Sequence, residues 1–554
     1  LPPRAPPCRM ASPAPSQPAS IAFPRPLSPL ERMQRQLSFS VQALPVVLSY
    51  LRLHTTFRLR ERLLNQCLSD EECEVLWDEQ HEKGAATISS AFNDLKGFYV
   101  KVGQIIASRQ DLFPRQYTEK LSGLTDMLDP MPGSLARAVI AQELLHEGEE
   151  FDSVFAEFDD APLGAASVAQ VHRAVLTEAY GGAEVAVKVQ RPNIEAKLLG
   201  DVATLKALSK NFRNMEAVPV DYYIVFSELE AQLADEFDFV NEAAAMERIG
   251  AALCTSPDGL PCVPPLVTPR PVAGLVSRRV LVMDYLRGEP LSRAVETMRR
   301  RGLAPDSAEA RLFGRQLLRA LTEAFGRTIL ETGFFHADPH PGNIFVLDDG
   351  RVGLIDFGQV KQISGRNRET LAKVMIALAD RSSDTDPEQL AAISKLALEL
   401  GVRLQEDAPD EGPAATAMWL FDGSVDKLPG GFDTGELSPN SPVSVLKSFP
   451  QDLVLVGRST VLIKGIAARL GVKWSLANEW APIARRVLSH SKRPPAGEAP
   501  RLRAIVQLLG AWLRAKTALA LRKLPPPMLR LLARAAACLP ERGGGGRKGG
   551  APAS

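Results

Sequence analysis

GFFHADPHPGNIFVLDDGRVGLIDFGQV, residues 333–360, limits the possible folds more than any other stretch of the chain. Two short apolar runs, NIFVL and RVGLID, flank Asp348-Asp349-Gly350, a turn sequence that closes antiparallel strands. A hairpin here brings Asn343 and Asp356 to the same end, with Asp338 five residues before Asn343. Phosphoryl transfer is mostly a matter of positioning and neutralising charge. It needs a carboxylate beside the acceptor, with an asparagine and a second aspartate to hold Mg²⁺. DFG alone arises by chance, but HxD-x4-N followed by a hairpin and DFG is far more restrictive. A structural loop with capping Asp and Asn residues explains the pattern less well.

Such a site also needs a cation for the nucleotide. Lys188 lies in EVAVKVQ, 184–190, where apolar alternation predicts a strand and sets the cation at its edge. Alone it reads as an ordinary strand lysine with its ammonium in water. Its place upstream of Asp338, Asn343 and Asp356 makes it a candidate phosphate contact. A carboxylate must orient it, and ADEFDFVNEAAAMER, 234–248, offers Glu236, Asp238 and Glu242. Helical spacing predicts Asp238 and Glu242 as i,i+4 neighbours, with Glu236 on a different face. Ahead of the strand, where a glycine-rich phosphate loop is expected, PLGAASVAQVHRA (162–174) has one glycine and four alanines.

The rest of the chain reads as an ordinary globular protein, 45% hydrophobic and 23% charged over 554 residues. Six scattered cysteines with no CxxC pair suggest neither a zinc ribbon nor a disulfide framework. His336 and His340 are interrupted by Pro339, which argues against a zinc pair on a helix, and His172 is expected to be a hydrogen-bonding residue. Residues 41–150 are expected to be helical. Leu95, Phe98, Val102, Ile105 and Ile106 form one stripe there, leaving Lys101, Gln104 and Ser108 on a face that spacing alone reads as solvated. Short strands with an intervening helix follow from about 160 to 290, then a helix over about 305–332 and further helices after 365. A polar, Gly/Pro-rich stretch at 404–445 is expected to be a mobile insertion.

Net charge is zero but uneven: residues 501–554 hold eleven Lys/Arg against Glu541 alone, which suggests an anionic partner. The basic amphipathic stretch 500–523 fits either a solvated face or a membrane-surface contact. Nucleic acid is the weakest partner, because aromatics are not interleaved with the charges. Residues 1–40 hold ten prolines, six serines and five arginines against Glu31, a transit-like composition. Since the chain opens on Leu1, it is expected to be a piece of a longer protein. No apolar run long enough to span a bilayer is present.

These motifs together resemble the UbiB/AarF/ADCK atypical protein-kinase-like family. The resemblance rests on KVGQ (101–104), GAASVAQVH (164–172), VAVKVQRP (185–192), DEFDFVNEA (235–243), LVMDYLRGEPL (281–291) and HADPHPGNIFV through DFG (336–358), and covers roughly residues 85–480. It implies an α+β, bilobal protein-kinase-like fold with an N-terminal helical extension and a helical C-terminal segment. The expected parts are a transit-like disordered segment (1–40), the extension (41–155), an N-lobe (156–290), a C-lobe (291–490) and a basic tail with a disordered end (491–554). ATP or ADP with Mg²⁺ is the implied cofactor set. Lys188 would contact phosphates and pair with Glu242, Asp338 would be the catalytic-loop aspartate, and Asn343 and Asp356 the metal ligands. Leu163, Gly164, Ala165, Ala166, Ser167 and Val171 would border the nucleotide. The backbone at Asp284 and Leu286 would hold adenine, with Met283 as gatekeeper. Lys101, Gly103 and Gln104 of the KxGQ helix, with Glu236 and Asp238 of an ExD element, would be regulatory and cover the cleft. Two positions depart from the family: Gly164 stands where an alanine is usual, and Ala169 where glycine is common.

The implied activity is that of a Mg²⁺-dependent atypical kinase or ATPase supporting isoprenoid-quinone or other prenyl-lipid metabolism. Its partners would be a nucleotide, a prenyl-lipid-related small molecule and an organelle membrane surface, with the N-terminal composition favouring chloroplast over mitochondrion. A catalytically silent nucleotide-binding scaffold is the alternative, against which the complete set of catalytic positions argues. A Ser/Thr kinase acting in trans needs an open acceptor groove. After DFGQV the chain has no APE signal and passes straight to an expected helix.

Overall fold

The structure is a computed structural model that describes residues 23, 25, 28–64, 69–95, 98–107, 114–123, 130–210, 223, 226–227, 230, 233, 236–256, 259–300, 307–405, 408–435, 438, 440–442, 445–448 and 450–491. The chain divides after Val487, and of the C-terminal unit only the end of the last helix is described. The stretch 500–523 therefore lies outside the described residues.

Four helices open the fold: α1 (Pro29–Leu64), α2 (Asp70–Leu95), α3 (Phe98–Ala107) and α4 (Arg115–Ser122). The first begins inside the segment expected to be disordered. Its start is set by a capping box: the Glu31 N–H donates to Ser28 Oγ at 3.2 Å, and the Ser28 N–H to Glu31 Oε2 at 2.7 Å. Phe39 stacks on Tyr99 of α3 at 4.9 Å, and Phe92 of α2 lies 5.8 Å from the same ring.

After α5 (Gly133–Leu144) and the short α6 (Phe151–Val154), strands β1 (Phe155–Phe158), β2 (Gly164–Ala165), β3 (Ala169–Leu176) and β4 (Glu184–Gln190) begin an antiparallel sheet. Helices α7 (Ile194–Lys210) and α8 (Phe239–Cys254) intervene before β5 (Pro271–Val276) and β6 (Val280–Asp284) complete it in the order β1-β3-β4-β6-β5, with β2 on β3. Strand alternation divides β4 between two layers. Val185, Val187 and Val189 join the core that Ala136, Val139 and Ile140 of α5 cover. Lys188 and Gln190 turn the other way, toward the segment that leads into α8.

The second lobe holds β7 (Gly288–Pro290), α9 (Leu291–Arg300) and α10 (Ala308–Gly326), which runs into a π-helical turn over Arg327–Thr332. Next come β8 (Phe334–His336), β9 (Ile344–Leu347), β10 (Val352–Leu354) and β11 (Val360–Gln362). The β9–β10 hairpin pairs Val346 with Val352 and Ile344 with Leu354, and turns at Gly350 with φ +82°. Helices α11 (Gly365–Asp380) and α12 (Pro387–Leu400), β12 (Arg403–Leu404), α13 (Gly412–Phe421), β13 (Leu446–Ser448), α14 (Gln451–Arg469) and α15 (Leu476–Ser491) finish the described chain. Trp480 of α15 is fully buried, donates from Nε1 to Thr322 O at 2.7 Å, and packs where Gly326 has no side chain.

The expectation of a mobile insertion at 404–445 is corrected by α13. Every residue of GPAATAMWLF is buried, so the helix is apolar on all sides and has no periodicity to read.

Candidate active site

The site lies where β4, α8 and the β9–β10 hairpin meet. Lys188 lies not at an edge, the position expected of it, but in the interior of β4, a central strand that pairs it with Val171 and Leu281, and its side chain is only 15% exposed. Its Nζ donates to Glu242 Oε1 at 2.8 Å and Oε2 at 2.9 Å, and to Asp356 Oδ1 at 3.0 Å. The Phe239 ring lies 5.2 Å from the ammonium. Burial alone would push this lysine's pKa down, but Asp356 and then Glu242 outweigh it and hold the ammonium above its ordinary value. Burial raises the Glu242 carboxyl, Lys188 opposes the rise, and Asp356 adds to it. One cation thus serves two carboxylates. Asp356 is the half-exposed member of the cluster and Glu242 the buried one.

Backbone hydrogen bonds bring the C-lobe groups together. The Ile355 N–H donates to Asn343 O at 2.9 Å, so the hairpin holds Asn343 beside the segment that carries Asp356, as its turn sequence predicts. Asn343 Nδ2 donates to Asp338 O at 3.2 Å, tying Asn343 to the loop before it. Asp356 adopts φ +61°, a left-handed conformation that costs a non-glycine residue energy and persists where its surroundings enforce it. His336 helps to enforce it. Its Nε2–H is directed at Asp356 O (2.8 Å) and Ile355 O (3.2 Å), while Nδ1 accepts from the Asp338 N–H at 3.3 Å. These partners fix a neutral tautomer, and burial lowers the pKa of His336 below the ordinary histidine value.

The carboxylate of Asp338 faces two basic groups, His340 Nε2 and Arg458 Nη1, each 3.9 Å from one of its oxygens. Arg458 comes from α14, far along the sequence, so no local motif announces it.

The alanine-rich stretch is a tight turn between β2 and β3. The Ala166 N–H donates to Ala169 O at 2.8 Å, and Arg191 Nε donates to Ala166 O at 2.9 Å. That N–H is consumed by the turn, and Ser167 is buried. Gly164 pairs with Val171, and Val171 with Lys188, so all three stand in one row across the sheet. The Leu163 N–H closes onto Val171 O at 2.7 Å. At the end of β6, Asp284 accepts Arg270 Nε at 3.0 Å and gives its own N–H to Arg270 O. Met283 is buried, and Leu286 packs near Gly353 of the hairpin.

Two further expectations change. Asp238 is not a helical neighbour of Glu242 but the N-cap of α8, accepting the Val240 N–H at 3.0 Å. Glu236, ahead of that cap, accepts Gln359 Nε2 at 2.8 Å, joining the start of α8 to the residue after DFG. Gly103 lies buried in α3, whereas the side chains of Lys101 and Gln104 lie outside the described residues.

Arg327 is the residue that sequence reasoning missed most completely. Its guanidinium reaches from the π-helical turn to the last carbonyls of α8: Nη1 to Leu253 O at 3.1 Å, Nη2 to Ala252 O at 2.9 Å and to Thr255 O. Glu331 Oε2, 3.5 Å from Nε, is its counter-ion. A buried cation on a helix C-terminus satisfies orphan carbonyls and matches the helix dipole. The helix that delivers Glu242 is thereby fastened to the C-lobe. Arg248 of α8 adds to this, donating to Gln362 Oε1 at 2.6 Å over the Phe334 ring.

Comparison with known proteins supplies the family. The description of the ABC1 atypical kinase-like domain matches residues 123–388. An uncharacterised Synechocystis protein is 32% identical over 293 residues, covering 52% of this chain and 67% of that protein. A second uncharacterised Synechocystis protein is 28% identical over 448 residues, 77% of this chain and 71% of its own. Activity of BC1 complex kinase 7, chloroplastic, from Arabidopsis thaliana is 28% identical over 414 residues, and the chain spans 54% of that relative's length. A lysine shared by two carboxylates, a hairpin that presents asparagine and aspartate together, and these similarities lead to one statement: the chain belongs to the ABC1 atypical kinase-like family.

Proposed function

We propose that the protein binds ATP with Mg²⁺ and transfers or hydrolyses its terminal phosphoryl group, in support of isoprenoid-quinone or prenyl-lipid metabolism at an organelle membrane. The observation that carries the chemistry is the Lys188 ammonium held at hydrogen-bonding distance of both Glu242 and Asp356. It is ready to meet phosphate oxygens without first being recruited. A divalent ion fits the residues present. Asp356 offers a half-exposed carboxylate, and Asn343 commits its amide nitrogen to Asp338 O, which leaves a hard carboxamide oxygen. Mg²⁺, when bound, would neutralise negative charge on the phosphates of the nucleotide.

Within this proposal Lys188 orients the phosphates, Glu242 holds Lys188, and Asp338 positions the acceptor. Gly164, Ala165 and Val171 border the nucleotide. The backbone at Asp284 and Leu286 receives adenine below Met283. Glu236 and Asp238 set the start of α8, and the KxGQ helix with Lys101 and Gln104 covers the cleft. Only a short segment separates Asp356 from α11, which begins at Gly365. That leaves little chain for an activation segment and favours water or a small molecule as acceptor over a docked protein. The chloroplast is the favoured compartment, supported by the name of the plant relative and the transit-like N-terminus.

The test is ATP hydrolysis with Mg²⁺, with and without anionic liposomes. Turnover that is lost in Asp356→Asn supports the proposal. Wild-type protein that binds nucleotide yet turns over under no lipid condition would make it a scaffold. Phosphorylation of added proteins at ordinary kinase rates, about 1–100 per second, would overturn the covered cleft.

A further inference from the structure

Helix α1 carries an apolar face that the described structure leaves uncovered. Leu30, Met33, Leu37, Val41, Leu44 and Leu48 are each more than half exposed. Their spacing of three and four residues puts them on one side of the helix, over about 27 Å at 1.5 Å per residue. The opposite side is what fastens α1 to the protein, through buried Phe39 and Val46. The exposed leucines are therefore not needed for packing.

The neighbouring helix supplies the contrast. Along α2 the exposed positions include Glu72, Asp78, Glu79, Glu82, Lys83, Asn93 and Asp94, an ordinary solvated face. On α1 no charged residue occurs from Gln36 to Leu51, and the charges beyond that run are mostly basic, with Arg52, Arg58 and Arg60 exposed. The whole helix has six arginines against Glu31 and Glu61. No described helix is long and apolar enough to cross a membrane. An apolar side with basic flanks on a non-spanning helix is the pattern of a helix lying in a lipid interface. A coiled-coil partner is commonly registered by charged residues beside the seam. Here the flanking positions are Gln34, Ser38, Gln42, Pro45 and Ser49.

We propose that this face of α1 rests on an anionic lipid surface, with the leucines at the acyl boundary and the arginines among the headgroups. The proposal rests on the membrane part of the function proposed above and on none of its chemistry.

Flotation of the full chain tests it, using vesicles of phosphatidylcholine alone and of phosphatidylcholine with an equal part of phosphatidylglycerol. Wild type is expected to float with the mixed vesicles. Leu37→Glu/Leu44→Glu should lower the bound fraction by roughly tenfold or more, since two leucines leave the apolar phase. Its melting temperature and vesicle-free ATP turnover should match wild type. Leu37→Ser/Leu44→Ser should fall between the two, and Arg52→Gln/Arg58→Gln/Arg60→Gln should erase the preference for anionic vesicles. A glutamate variant that floats as well as wild type would assign membrane binding to another segment and overturn the proposal. So would a wild-type dimer in sedimentation that the glutamate variant turns into a monomer, because the face would then belong to a second copy. Flotation without ATP turnover would remove the enzymatic reading and leave this one standing.

Discussion

The two ends of α8 are both built around one buried cation, yet they differ in what that cation is given. At the start of the helix Lys188 faces two carboxylates, one of them half exposed. At the other end Arg327 is spent on three backbone carbonyls and Glu331. The first cluster has a half-exposed carboxylate at Asp356, a side that a ligand can reach. The second is buried and ties the end of the helix to the C-lobe. The end of α8 that carries Glu242 thus keeps a half-exposed carboxylate beside it, while the end held by Arg327 is buried.

The sharpest way to break this contrast is Asp356→Asn, which removes the exposed half of the pair. Turnover should fall at least about a thousandfold, roughly 4 kcal/mol of barrier, with little change in melting temperature. A variant that keeps its activity would place the chemistry elsewhere. Arg327→Leu should do the reverse, costing about 3 kcal/mol in urea unfolding as buried carbonyls lose their donor. Arg327→Lys should recover part of that, and a cost under about 1 kcal/mol would show the clamp to be passive.

Acid should act next. Burial holds His336 and His172 below the ordinary histidine pKa, so the unfolded chain binds protons that the folded chain refuses. Stability should be full above the unfolded value near 6.5 and fall as pH drops below it, by up to about 1.4 kcal/mol per pH unit for each histidine. Thermal melts between neutral pH and pH about 5 check this, and His336→Gln should reduce the slope. Asp238→Ala, which uncaps the Glu242 end of α8, should cost about 1 kcal/mol. The smallest effect is expected from Ala166→Gly. It should loosen the β2–β3 turn and shift nucleotide affinity by a few fold, about 0.5–1 kcal/mol; an unchanged binding isotherm would take the turn out of nucleotide handling.

What the sequence made legible was local. Alternation in EVAVKVQ and the Asp348-Asp349-Gly350 turn each announce their element within a few residues, and both lie where they were expected. Glu242 was one of three acidic candidates until the family resemblance singled it out, and the structure places it on Lys188. Asp238 deceived because an i,i+4 count assumes both residues are helical, and a cap is not. Helix α1 begins at a Ser-x-x-Glu box that the transit-like composition around it obscured. Arg327 and Arg458 had no signature, since one answers to backbone carbonyls and the other to an aspartate more than a hundred residues away.

The position of Trp480 bears on how the chain can be shortened for expression. The family match ends at 388, an inviting place to cut. A fragment ending there would lose the indole that fills the space over Gly326 and caps Thr322 O. Removing a buried aromatic of that size typically costs about 3–5 kcal/mol, a large share of a domain's stability. Such a fragment should aggregate or melt early, and its lack of activity would say nothing about catalysis. Soluble protein for the assays above should run through Ser491.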